Sequence, residues 1–287
     1  MKNFPKRLAA CLGLASLLCT ACQPDKAVEP AEMPRGAARQ AAAAGDTLSA
    51  ITLPRHLLTR YGNATLSYND SQRLAKVVLS SNMYRTYDRY WDESQQYLQT
   101  ETYSGGKRIR KDVYALNASG RCTTSHTVYY DPHTGAMTSQ TGYRYEYNGQ
   151  NRLVKMYNIS NPLERTVFYH NTRGNLFEMR RYSPSGYLAK IVGFYHSSNS
   201  PVDAYGFNPH EAEGLDPFLR AYGSFFHQLP RLCEVTYLGT GGSFTRLNYQ
   251  YDLDAQGFPL TRRSYKGPSE LVNTLFYEYQ VVTSSVQ

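Results

Sequence analysis

The sequence predicts an all-β protein: an antiparallel meander of repeated hairpins, roughly a dozen or more strands, forming a strongly curved or barrel-like sheet with one short helix near 217–229. Three observations carry this. One turn motif recurs along the chain, and the arms between turns alternate polar with apolar residues. Tyrosine, which favours strands and pairs well across them, accounts for 26 of 287 residues.

The first 21 residues read as a secretory signal. Lys2, Lys6 and Arg7 form a basic start, Leu8 to Leu18 is an apolar run too short to span a bilayer, and Thr20 and Ala21 precede Cys22. Residues 22–46 follow as a tether. Its Ala, Pro, Glu and Gln include almost no large apolar side chain, so it cannot bury enough surface to offset its ordering entropy. Residues 47–287 then form a single Tyr-rich hairpin domain. Loss of the three signal cations lowers the formal charge from +8 to +5, a mild balance that, on an exported chain, argues against a nucleic-acid partner. The basic run Lys107 to Lys111 alternates across both faces of a strand and reads as a solvated hairpin arm.

The repeated turns are YNDSQRL from Tyr68, LNASGRC from Leu116, YDPHTGAM from Tyr130, YNGQNRL from Tyr147, YHNTRGNL from Tyr169, YSPSGYL from Tyr182 and LDAQGFPL from Leu253. A short polar side chain at the start can hold the backbone two residues on, and the late position requires positive φ, which Gly accepts and Asn tolerates. Gln72, at that late position in the first turn, fits this chemistry poorly. Between turns, Leu247, Tyr249, Tyr251 and Leu253 take one face while Arg246, Asn248, Gln250 and Asp252 take the other, so one face is wet and one covered.

The rhythm breaks at Asp216 to Pro230. Phe218, Leu219, Tyr222, Phe225, Phe226 and Leu229 fall at helical spacing, Asp216 suits an N-cap, Pro217 the first turn, and Pro230 ends the run. An amphipathic helix packed on the sheet or plugging its open end is expected, its aromatics serving as core.

Two resemblances rest on these turns. YRYEYNGQNRL and YALNASGRC resemble the tyrosine-aspartate repeats of Rhs-type toxin shells, which are far longer. The order of elements resembles lipoproteins of Gram-negative bacteria that carry a β-rich domain of unknown function with a porin-like fold. Tyr-rich hairpins are interrupted there by an Asn-Pro element, here Asn208 and Pro209, then a short apolar helix ending in Leu-Pro, here Leu229 and Pro230, before the final hairpins. The signal is similar to a bacterial lipoprotein signal, with Cys19 where that family usually has Leu. These resemblances imply acylation of Cys22, palmitate included, and a lipid-anchored outer-membrane location facing the periplasm or the cell surface. They bring no catalytic residues with them.

No linear motif marks a reaction. His210, Glu211 and Glu213 lack the spacing of a zinc helix, Leu238 to Phe244 is a Gly-rich turn that leads into a strand, and the seven histidines are scattered. No metal, no cofactor and no catalytic residue is therefore expected. Cys122 and Cys233 are the cysteines left after the signal and anchor; a bridge between them would add about 4 kcal/mol in the chain-entropy model, and free they would serve as small core residues. The favoured function is a non-enzymatic binding or structural module, held to the membrane by its lipid and open to a glycan or an envelope protein. Tyr143, Tyr145, Tyr147, Tyr249 and Tyr251 are its candidate stacking residues. A hydrolase of envelope or dietary polymers is one alternative. A membrane-embedded β-barrel is the other, although arms such as Gly106 to Asp112 lack an apolar lipid-facing band.

Overall fold

The computed structural model describes residues 55–282 apart from Ala204 and Thr240; the signal, Cys22 and the tether lie outside the described residues. Sixteen strands form one closed antiparallel barrel in sequence order. They are Arg55–Tyr61 (β1), Ala64–Tyr68 (β2), Leu74–Ser80 (β3), Met83–Asp92 (β4), Gln95–Ser104 (β5), Lys107–Leu116 (β6), Cys122–Tyr130 (β7) and Met137–Tyr147 (β8). Leu153–Asn158 (β9), Arg165–His170 (β10), Leu176–Tyr182 (β11), Leu188–Tyr195 (β12), Leu232–Tyr237 (β13), Phe244–Leu253 (β14), Pro259–Lys266 (β15) and Glu270–Val282 (β16) complete it. β16 returns to pair with β1, Leu58 opposite Tyr279 and Tyr61 opposite Tyr277, so no edge is left open.

The turns do what their residues dictate. Asn117 Oδ1 accepts from the Ser119 and Arg121 N–H groups, and Asn148 and Asp254 repeat this on their own turns. The late residue has positive φ throughout, including Asn151 at 61°. Gln72 adopts the same conformation at 55°, so the first hairpin follows the motif in spite of its side chain.

Because the chain is a meander, alternate turns lie at opposite ends. The β1–β2 turn and every second turn after it form the far end. The β2–β3 series, the start of β1 and the end of β16 form the near end.

A barrel of this strand number has a lumen too wide for its own side chains to fill. Here the 36 residues between β12 and β13, 196–231, enter it from the near end as a plug. Tyr222, Phe225, Phe226, Leu219 and Phe207 from the plug join Leu58, Leu98, Tyr114, Leu153, Phe168 and Val192 from the wall in one core.

The expected helix over 217–229 is not formed; a single 3-10 turn, Arg220–Tyr222, is its remnant. Gly223, with φ of 94°, ends it, and the backbone beyond bonds to the wall instead. Leu176 N–H donates to the Phe225 carbonyl at 2.6 Å, and Asn175 Oδ1 accepts from the His227 and Gln228 N–H groups. Asp216 caps no helix. It accepts from Arg85 Nη1 at 2.8 Å and from the Tyr87 hydroxyl at 3.0 Å, fastening the plug to β4.

An irregular buried segment carries backbone groups that no ladder satisfies, and side chains must meet them. Tyrosines from the wall do so: Tyr251 donates to the Pro230 carbonyl and Tyr147 to that of Ala221. Within the plug, Asn208 Nδ2 donates to the Asp216 and Leu219 carbonyls.

Candidate functional site

The five candidate stacking tyrosines all face the lumen, and four are consumed by packing. Tyr145 lies 5.3 Å from the Tyr222 ring and shares a hydrogen bond with Ser125; Tyr147 donates to the Cys122 carbonyl. Tyr249 is 5% exposed beneath the Arg262 guanidinium, and Tyr251 is bound to the plug. Tyr143 alone of the five borders the main cavity. Cys122 and Cys233 are free thiols on β7 and β13, well apart in the strand order. Both are buried, and burial pushes their ionisation up, so they act as core residues.

His210, Glu211 and Glu213 diverge within the plug. His210 contacts the Tyr61 hydroxyl, Glu211 meets the Cys233 thiol at 3.6 Å, and Glu213 pairs with Arg181. Burial, and then the charge of Arg262, lower the His210 pKa. No group of three potential metal ligands occurs among the described residues.

The cavity occupies the lumen beside β6–β11, toward the far end, with a volume of about 230 Å³. Its wall is made of alternate, inward residues: Thr127 and Tyr129 of β7, Thr141 and Tyr143 of β8, Met156 of β9, Thr166 of β10 and Arg181 of β11. The plug closes its inner side with Glu213 and Gly214.

Charges here are held in place. Arg110 forks onto Asp112 at 2.7–2.9 Å, and the Thr100 and Thr127 hydroxyls donate to the same carboxylate. Arg181 pairs with Glu213 and lies 4.0 Å from Glu164, while Lys190 approaches Glu213 at 3.7 Å. Burial, and then Glu164, raise the Tyr143 pKa, so its phenol stays neutral. The result is a lining of hydroxyls, two aromatic faces and balanced charge, able to hydrogen-bond a polyhydroxylated molecule. No sequence motif signals it, because its residues come from six strands and a plug.

The outer wall mixes exposed apolar side chains, among them Val78, Phe177 and Phe276, with pairs of opposite charge. Facing strands place Glu146 opposite Lys155, Glu234 opposite Arg246 and Arg60 opposite Glu278, and each pair forms an ion pair. Arg108–Glu101 and Arg180–Glu178 add two more, and Lys76, Arg108 and Arg165 lie over the rings of Tyr84, Tyr130 and Tyr182.

No family model matches the chain, and no curated protein is significantly similar to it. Among solved structures the fold is similar to porin-like proteins. A porin-like protein from Bacteroides vulgatus superposes with a TM-score of 0.52 at 12% identity, covering 78% of this chain and 98% of that one. Another, from Bacteroides uniformis, gives 0.49 at 15% identity, covering 76% and 90%. At this identity the likeness defines a class, the porin-like β-barrel, and the class is one of fold.

Proposed function

We propose that this is a non-enzymatic binding protein of the cell envelope, tethered through lipid on Cys22, with its barrel standing in water and its far-end cavity receiving one ring of a glycan. The single observation that carries the binding reading is the cavity itself, with Thr127, Thr141 and Thr166 hydroxyls beside the Tyr129 and Tyr143 rings. Threonines and charged ends can pair with sugar hydroxyls while a ring covers the apolar sugar face. Its volume, below the roughly 300–1,000 Å³ of drug-sized pockets, suits a terminal residue of a longer chain. No histidine lines it, and Glu164 and Glu213 both flank Arg181, which favours binding over hydrolysis.

The second reading is a barrel set within the outer membrane. The likeness to porin-like folds and the polar lumen favour it. Ion pairs within the strands of the outer wall, such as Arg180–Glu178 in β11, favour water, since a charged lipid-facing side chain costs up to about 2–4 kcal/mol toward the bilayer midplane.

Two measurements test these readings. Residues 47–287 contain the whole closed ladder and core; without detergent they are expected to run as a soluble species, and a requirement for detergent would favour the embedded barrel. On a glycan array the same chain is expected to select a subset of sugars, with Tyr143→Ala weakening binding about fivefold or more. Selection unchanged by Tyr143→Ala would remove the cavity from the account, and turnover of a bound glycan would restore the hydrolase.

A further inference from the structure

The near end of the barrel carries an arc of arginines from the β6–β7, β8–β9 and β10–β11 turns and the mouth of the plug: Arg121, Arg152, Arg173, Arg220 and Arg231. None of the five forms an ion pair among the described residues, whereas arginines of the outer wall and far-end cavity such as Arg60, Arg108, Arg180 and Arg181 do. The one carboxylate of the arc, Asp203, is turned into the Gly206 and Phe207 N–H groups, and the acids of the other near-end turns, Asp70, Asp92, Glu93 and Asp254, lie outside the arc. Arg152 is held in place against Gly174, where a Cβ would collide with its guanidinium, and Arg121 donates to the Arg220 carbonyl. Beside the arc lies a pocket of about 190 Å³ with no carboxylate in its lining. Thr172, Arg173, Ser197, Ser198, His196 and Gln228 converge on it. His196 is fixed by a 3.0 Å bond between Nε2 and the Leu176 carbonyl, and its buried Nδ1 has no partner.

Hydroxyls, a guanidinium and an amide without a competing acid suit a phosphate group. The position supplies the source. β1 begins at this end, so the segment leading back to Cys22 leaves from it. That segment of 32 residues could span about 100 Å when extended, and by itself orients nothing. We propose that the near end is a docking face for a bilayer bearing anionic phospholipid, the 171–175 pocket receiving a headgroup phosphate. The far-end cavity is thereby presented away from the membrane. This orientation rests on the tether reading, but the face can be tested without the anchor.

The test uses residues 47–287, sedimented with vesicles of phosphatidylcholine alone or mixed with phosphatidylglycerol. Binding is expected to the anionic vesicles and to fall with salt. At about fivefold per cation, the combined Arg152→Glu, Arg173→Glu and Arg220→Glu variant should lose roughly 100-fold or more, while Arg144→Glu with Lys266→Glu, on the wall and far end, changes little. Equal binding to both vesicles, none to either, or equal loss in the two variants overturns the proposal. Release by millimolar inorganic phosphate at constant ionic strength, with no loss in the triple variant, would assign the pocket to free phosphate and likewise overturn it. Because this chain lacks Cys22, failure here leaves the anchor standing. The anchor is refuted separately by unchanged membrane fractionation of the full chain after Cys22→Ser.

Discussion

On the outer wall Arg263 meets Asp252 with side chains 36% and 50% exposed; in the lumen Arg85 meets Asp216 with 13% and 1%. The residue types are the same and the surroundings are opposite. Outside, both charges are exposed, so the pair adds little. Inside, burial works against the Arg85 charge and Asp216 more than restores it, raising the guanidinium further above its ordinary range. Burial and then Asp216 push the Tyr87 phenol up as well, keeping it a hydrogen-bond donor. The outer pair is held only by its own exposed contact, and the inner contacts make the barrel one structure with its plug.

The contrast can be broken by substitution. Asp216→Ala leaves Arg85 buried without its partner and frees the plug from β4; a loss of about 3–5 kcal/mol is expected in urea unfolding. A loss below about 1 kcal/mol would mean that the lumen is wetter than this packing implies. A smaller effect is expected from His170, at the near end of β10. Burial, and then Arg152, lower its pKa to about 4, against about 6.5 when unfolded. The neutral form is thus favoured by folding: its contribution is complete above about pH 6.5 and is lost as pH falls toward 4. With its partial exposure this amounts to about 1–2 kcal/mol, and His170→Leu should flatten that part of the stability profile. Tyr145→Phe removes a hydroxyl bonded to Ser125 and should cost about 1 kcal/mol, whereas Tyr97→Phe on the outer wall, where the ring stacks on Tyr90, should be nearly silent. Smallest is Arg263→Ala, expected to change stability by less than about 1 kcal/mol and by nothing measurable at high salt.

Much of the fold was legible because turn chemistry and strand alternation are local. Asn148 and Asn151 set their hairpin within five residues, and Tyr143, Tyr145 and Tyr147 share a face by period alone. Closure was not legible, since the pairing of Leu58 with Tyr279 depends on accumulated twist and register. The plug was misread for a different reason. Aromatics at spacings of three and four also suit an irregular chain that touches walls on several sides, and sequence cannot tell that Asn175 will supply what a helical ladder otherwise would. Nor could the cavity be found, because Arg181 meets Glu213 from a distant part of the chain. The tyrosines suggested a surface for stacking; in the lumen Tyr251 bonds the plug and Tyr145 the wall, while Tyr143 borders the cavity.

The closing pair has a kinetic consequence. β1 and β16 stand at opposite ends of the domain sequence, so their meeting carries the largest loop-closure entropy in the molecule. The plug precedes the last four strands, and its aromatics form the surface on which those strands can assemble. An early collapse of β4 to β12 around residues 205–229 would shorten the effective loop before the seam forms. The final seam would then be the slow event of folding, with the plug acting as the former around which the barrel is wound.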